Sequence, residues 1–411
     1  MMRSPFRLRL LSGLLLTAVL AGGLAGCSTP PPPPVAVSTE AMPFDRAVQV
    51  AVDALFAQLP KQEGLMAKLE NSRTKRSVLL DPTIDATTGQ QTTATQLLDR
   101  RIAERAGTMS ERIVLLPFEA ANVAKTDYLM TGTLARSKGA YKLNLALVDI
   151  KTGTVAAQTP VQVMEEGVDM SPLPFYRDSP ILTKDTVMDG YVRTSAAEAG
   201  QKADAGYLAR IATASVIADA NMLYNAGNYQ EALARYSAAL DMPAGDQLRV
   251  LNGIYLASVK LGQGGKAEDA FGRIVAHGLA NKQLGVKFLF NPGSTEFWSD
   301  PKVSSAYGMW LRQIVRQASS AKVCMDVVGH TSATGTEAIN DALSLKRARF
   351  IRQRMSVESA DFANRARPVG MGSRQNIVGS GTDDVVDAPD RRVEFAIVNC
   401  ERPKNQVANS Q

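Results

Sequence analysis

VVGHTSATG (Val327–Gly335), NDALSLKRA (Asn340–Ala348) and DRRVEF (Asp390–Phe395) follow one another near the end of a 411-residue chain. Around them, apolar runs at 286–290, 323–328, 368–371 and 393–398 read as strands, and the longer periodic stretches 301–318 and 335–355 read as helices. The predicted order over 286–402 is β-α-β-α-β-β, with 403–411 as a tail. Thr334 and Glu337 have capping-box spacing at the start of the long helix. Asn340, Ser344 and Arg347 share one face of that helix at i, i+4 and i+7. Ile339, Leu343 and Phe350 form the neighbouring apolar stripe, which is expected to seat the helix on the sheet.

The three strings together resemble the OmpA/Pal/MotB C-terminal domain. The resemblance implies a β-α-β-α-β-β sandwich that binds the peptidoglycan stem peptide noncovalently. It implies that Arg347 holds the carboxylate of the stem's diamino acid, that Arg391 is a second basic contact, and that Thr331, Asn340 and Leu343 lie beside them. A guanidinium suits this task because it grips a carboxylate through two parallel hydrogen bonds. One position departs from the pattern. The family usually reads GHTD, and that Asp receives the ligand's ammonium; here the residue is Ser332. A hydroxyl accepts a hydrogen bond but supplies no charge, a loss on the order of 1–3 kcal/mol. Weakened, altered or absent wall binding is therefore expected. Asp341 adjoins Asn340, but the sequence does not fix its direction. His330 has no serine–acid pair or metal-ligand spacing near it, so a structural hydrogen bond is expected.

The first forty residues carry a different message. Arg3, Arg7 and Arg9 precede an apolar run from Leu10 to Leu20, and small residues lead to Leu24-Ala25-Gly26-Cys27. This order reads as a signal peptide over 1–26 rather than a spanning helix. LAGC resembles the bacterial lipobox, which implies acylation at Cys27. Two or more acyl chains hold a protein on a bilayer where one gives marginal binding. Ser28, where an Asp favours inner-membrane retention in such lipoproteins, implies the outer membrane, with the chain facing the periplasm. Pro30 to Pro34 form a stiff polyproline tether within 27–43. The net charge of +6 falls to +3 without the three signal arginines, since 46 basic residues become 43 against 40 acidic ones. Nucleic acid is not an expected partner.

Cys324 and Cys400 remain after Cys27. Composition alone leaves a disulfide and two buried thiols equally open. In the fold that the C-terminal strings resemble, the last strand runs antiparallel to the second, which brings Cys400 to Cys324. A disulfide is expected on that basis.

Between the ends lie two further regions. Residues 44–165 alternate helical and strand patterns and predict an α/β sandwich. Leu143, Leu145 and Leu147 alternate with Asn144, Ala146 and Val148, as in a strand buried mainly on one face. RIVLLPF, DYLMTGTL and YKLNLALVDIKTGTVAAQ resemble the periplasmic lipoprotein domains of the curli-secretion and LpoB type, and TolB's amino-terminal domain. DPTIDATTGQQTTAT, 81–95, lacks a P-loop lysine and a calcium-loop spacing, and reads as turn chemistry plus a helix N-cap. Residues 166–204 read as a linker or extended crossing. Over 205–283, Gly227, Ala232 and Tyr236 recur as Gly262, Ala267 and Phe271, 35 residues on. That pattern resembles tetratricopeptide repeats and fits a protein-binding groove or a helical spacer alike.

The chain is thus expected to be a multidomain α+β lipoprotein of the outer membrane. No nucleophile, acid pair or zinc spacing points to an enzyme, and no cofactor or metal is expected. The leading expectation is a noncatalytic envelope scaffold that tethers membrane to wall and recruits protein partners. The other is an assembly or regulatory factor for a secretion or wall-synthesis machine.

Overall fold

Apolar strand patterns in the first region assemble into one mixed sheet of order β3-β1-β4-β5-β6. Its strands are β1 (Arg76–Leu80), β2 (Ile84–Asp85), β3 (Ile113–Leu116), β4 (Tyr128–Ser137), β5 (Ala140–Asp149) and β6 (Thr154–Met164). β1 runs parallel to β3 and β4, β2 pairs with β4, and β4-β5-β6 form an antiparallel meander. The computed structural model describes residues 40–59, 75–181, 184–377, 379, 381–384 and 387–400. The signal segment, Cys27, most of the proline tether and the 403–411 tail lie outside the described residues.

Helices α1 (Phe44–Ala57) and α2 (Thr93–Gly107) cover one face of the sheet. Val48, Val52, Leu55, Leu98 and Ile102 pack there with Leu143, Leu145 and Leu147. Thr92 caps α2 by accepting a hydrogen bond from Thr95 N, as the turn-and-cap reading of 81–95 required. The opposite face is covered as well, and here the structure departs from the expectation. β5 buries Asn144, Ala146 and Val148 too, because residues 166–204 are not an open linker. They include a short helix, Pro174–Arg177, and α3 (Thr186–Ala196). Val187, Met188 and Tyr191 of α3 pack with Leu129, Ala146 and Val148. The sheet is therefore sandwiched between two helical layers.

The 35-residue repeat forms two helical hairpins: α4 (Ile211–Asn225) with α5 (Tyr229–Leu240), and α6 (Leu248–Lys260) with α7 (Gly264–Ala280). Gly227 and Gly262 make the turns at φ +83° and +68°, a backbone region that favours glycine. Two such units seldom bury a core alone. Here α8 (Tyr307–Ser320), from the next region, supplies the missing layer. Phe271 stacks on Trp310 with ring centroids 5.3 Å apart, and Trp310 Nε1 donates to Tyr255 Oη at 2.8 Å. One apolar core consequently runs from the repeat into the C-terminal region.

That last region is a four-stranded sheet of order β7-β10-β8-β9, built from β7 (Phe288–Leu289), β8 (Cys324–Gly329), β9 (Ala366–Gly370) and β10 (Arg392–Val398). β10 is antiparallel to β7 and β8, while β8 and β9 are parallel. With α8 between β7 and β8 and α9 (Glu337–Glu358) between β8 and β9, the β-α-β-α-β-β order is present. Val398 sits opposite Cys324, and Cys324 and Cys400 form the disulfide. Two local expectations are corrected. The α9 cap is Thr336, which accepts from Ile339 N, and Thr334 instead meets Ser332. Ile339 is 61% exposed, whereas Ala348, Ile351 and Met355 seat the helix. Of the expected stripe, Phe350 packs on the core against Phe290 and Phe297 and Leu343 is half-buried, while Ile339 faces out because Asn340, Ser344 and Arg347 turn inward. No helix among the described residues is long and apolar enough to cross a membrane.

Candidate functional site

The three sequence strings converge at one end of the C-terminal sheet. β8 ends at Gly329, where it pairs with Val393 at the start of β10, so His330–Ser332 and Arg391 emerge side by side. The disulfide pins the other end of the same strand pair. Close packing of α9 completes the arrangement. A Cβ on Gly329 would lie 2.0 Å from Ser344 O, so only glycine lets the helix backbone approach β8 this nearly. Ser344 Oγ accepts from Gly372 N at 2.9 Å, which ties the helix to the segment after β9.

Arg347 and Arg391 are the centre of the cluster, and both are buried. Arg347 donates through Nε to Ser294 O, Nη1 to His330 O and Nη2 to Asn291 O, each at 2.9 Å. Its guanidinium also lies over Phe290, 5.3 Å from the ring centroid. The resemblance implies an Arg347 that faces a ligand; the structure points it inward, clamping the 291–294 turn to the end of β8. Burial and the neighbouring Arg391 push its pKa down to about 10. Arg391 donates Nε to Phe290 O at 3.2 Å, Nη1 to Asp383 Oδ1 at 2.8 Å and Nη2 to Asp384 O at 2.9 Å. Trp298 stacks beneath it at 5.3 Å.

Ser332 finds a charge after all. Its hydroxyl donates to Asp383 Oδ1 at 2.6 Å, so Asp383 joins Ser332 to Arg391. Nothing in the sequence singles out Asp383, which lies 51 residues from Ser332 and meets it only through the fold. Asp341, the nearer acid, points elsewhere and pairs with Arg374 at 2.7 Å. Thr331 is buried, bonds through its amide to Gly372 O, and leaves its hydroxyl without a partner. Asn340 is buried on the inner face of α9, and Leu343 is half-buried beside it.

A second polar group lies behind these residues. His330 is buried, with Nε2 3.3 Å from Glu394 Oε1. Burial lowers its pKa, against the pull of Glu394. Burial alone would raise the Glu394 carboxyl, but His330 and the paired Arg392 hold it far below the usual range. No cluster of three His, Cys, Asp or Glu side chains suited to a metal occurs among the described residues. The end of the sheet thus gathers Arg347, bonded to three backbone carbonyls, and Arg391, paired with the partly exposed Asp383 carboxylate that also accepts from Ser332.

No protein-family model matches the chain, and no curated protein matches it. Among solved structures, the chain is similar to the peptidoglycan-associated lipoprotein of Burkholderia pseudomallei at 22% identity, over 27% of this chain and 89% of that one, with a TM-score of 0.23.

Proposed function

We propose that this protein is a noncatalytic envelope scaffold, held in the outer membrane by acylated Cys27, whose C-terminal region engages the carboxylate-bearing stem peptide of peptidoglycan. The observation that supports this most is the convergence of Arg347 and Arg391 as two adjoining buried guanidiniums at the His330–Ser332 segment. Like charges in a buried site repel; Asp383 offsets that repulsion within the chain, and a ligand carboxylate taking its place would do the same. A stem peptide brings such an anion. The α/β sandwich and the helical repeat would then recruit a protein partner.

The test uses the mature chain with the lipid left off. It is expected to co-sediment with isolated sacculi, and free stem peptide is expected to compete. Equal pelleting with and without sacculi would reject wall binding. Mass analysis of the membrane-extracted protein tests the anchor, and an unmodified Cys27 would remove it.

A second reading has its own support. Arg347 is wholly enclosed, with every guanidinium nitrogen engaged inside the chain. This favours an assembly or regulatory factor in which the C-terminal fold meets protein instead of wall. Capture of a protein partner by the natural chain, with no co-sedimentation with sacculi, would favour this reading over the first.

A further inference from the structure

Asp383 stands between solvent and the arginine pair. Its side chain is 26% exposed, while that of Arg391 is 1% exposed. Its Oδ1 accepts from both Arg391 Nη1 and Ser332 Oγ, as a ligand carboxylate at this site would. The loop holds it there deliberately. Asp383 adopts φ +57°, which few residues other than glycine, Asn or Asp tolerate, and its amide donates to Asp387 Oδ2 at 2.9 Å. Each Arg391 nitrogen is meanwhile engaged by Phe290 O, Asp383 or Asp384 O. Arg391 is itself out of solvent, so a ligand carboxylate taking the solvent-side contact on Nη1 displaces Asp383.

We propose that Asp383 is a tethered carboxylate that occupies the anion position of this site and thereby sets its specificity. The proposal rests on the reading of the arginine pair as the binding site. A tethered group competes as if present at roughly millimolar concentration or above. Simple monocarboxylates lose that competition. A ligand that adds contacts beyond its carboxylate wins it, so the loop selects an extended carboxylate-bearing chain over free small acids.

The experiment compares the full mature chain with Asp383→Asn and Asp383→Glu, each first shown to be folded by circular dichroism. Two probes are used: isolated sacculi, and acetate read by thermal midpoint against chloride at equal ionic strength. Loss of one charge-assisted bond to the competitor is expected to tighten sacculus binding of Asp383→Asn by about tenfold. Acetate is expected to raise the midpoint of Asp383→Asn and leave the natural chain unmoved. Asp383→Glu, which keeps the charge, is expected to gain less. An acetate response in Asp383→Asn without sacculus binding by any chain supports the tethered carboxylate and rejects the wall as ligand. Sacculus binding that is unchanged or weaker in Asp383→Asn, with no acetate response, overturns the proposal and leaves wall binding standing. An equal gain in Asp383→Glu overturns it too, because loosening of the loop rather than charge would then be the cause. Failure of every chain with both probes overturns both readings.

Discussion

The two sheets of this molecule are stabilised in different ways. The N-terminal sheet buries leucine, valine and alanine on both faces, with Leu143, Leu145, Ala146, Leu147 and Val148 all fully enclosed. The C-terminal sheet is apolar beneath α8, yet at the end of β8 it buries His330, Arg347, Asp387, Asp390, Arg391 and Arg392. Apolar burial is nondirectional and tolerates small shifts. A buried polar network is directional, and one missing partner strands the others. The first region is thus built for stability, and the second holds a charged constellation in one geometry.

The largest expected break in this contrast is Gly329→Val. Its Cβ would meet the Ser344 carbonyl, a backbone atom that cannot move without shifting α9. We expect a loss of more than about 4 kcal/mol in the C-terminal region, read as early proteolysis there. Arg347→Met comes next. It leaves the Ser294, Asn291 and His330 carbonyls without their donor, at a cost of about 3–5 kcal/mol in denaturant unfolding. A near-neutral result would show that the arginine is free for a ligand and does not serve as a clamp. Leu145→Ala tests the apolar sheet, with an expected loss of about 3 kcal/mol from a site wholly out of water.

The double change Cys324→Ser/Cys400→Ser frees the strand pair at the end opposite the arginines. About 2–3 kcal/mol is expected from unfolding curves of the oxidised and changed proteins. The smallest effect concerns Asp81, a buried carboxyl that accepts from Tyr207 Oη at 2.5 Å. Burial pushes its pKa up to about 7, against the pull of Tyr207 and Arg249. The folded state then holds a proton that the unfolded chain releases near pH 4. This group's stabilising contribution is present below pH 4, falls as pH rises to about 7, and is flat above. Asp81→Asn should shrink the difference between urea midpoints at pH 5 and pH 8.

Period and turn chemistry made much of this architecture legible. The order of strands and helices in the last region, the two helix-turn-helix repeats and a helix N-cap within 81–95 all follow from local spacing. The disulfide followed from the antiparallel β8–β10 pairing that the C-terminal resemblance carried. Burial on the second face of β5 was not legible, because it depends on α3, which lies about forty residues downstream. Nor was the direction of Arg347. Helical spacing puts it on a face with Asn340 and Ser344 but does not say which face meets the sheet. Asp383 escaped for the same reason, since its role exists only once a loop folds back upon Ser332 and Arg391.

What the sequence determined by itself were the elements and their chemistry, since hydrophobic period, capping residues and turn glycines act over a few neighbours. The tertiary structure alone decided which cations are shielded and by what. Desolvation and hydrogen-bond partners depend on segments far apart in the chain that meet only after packing.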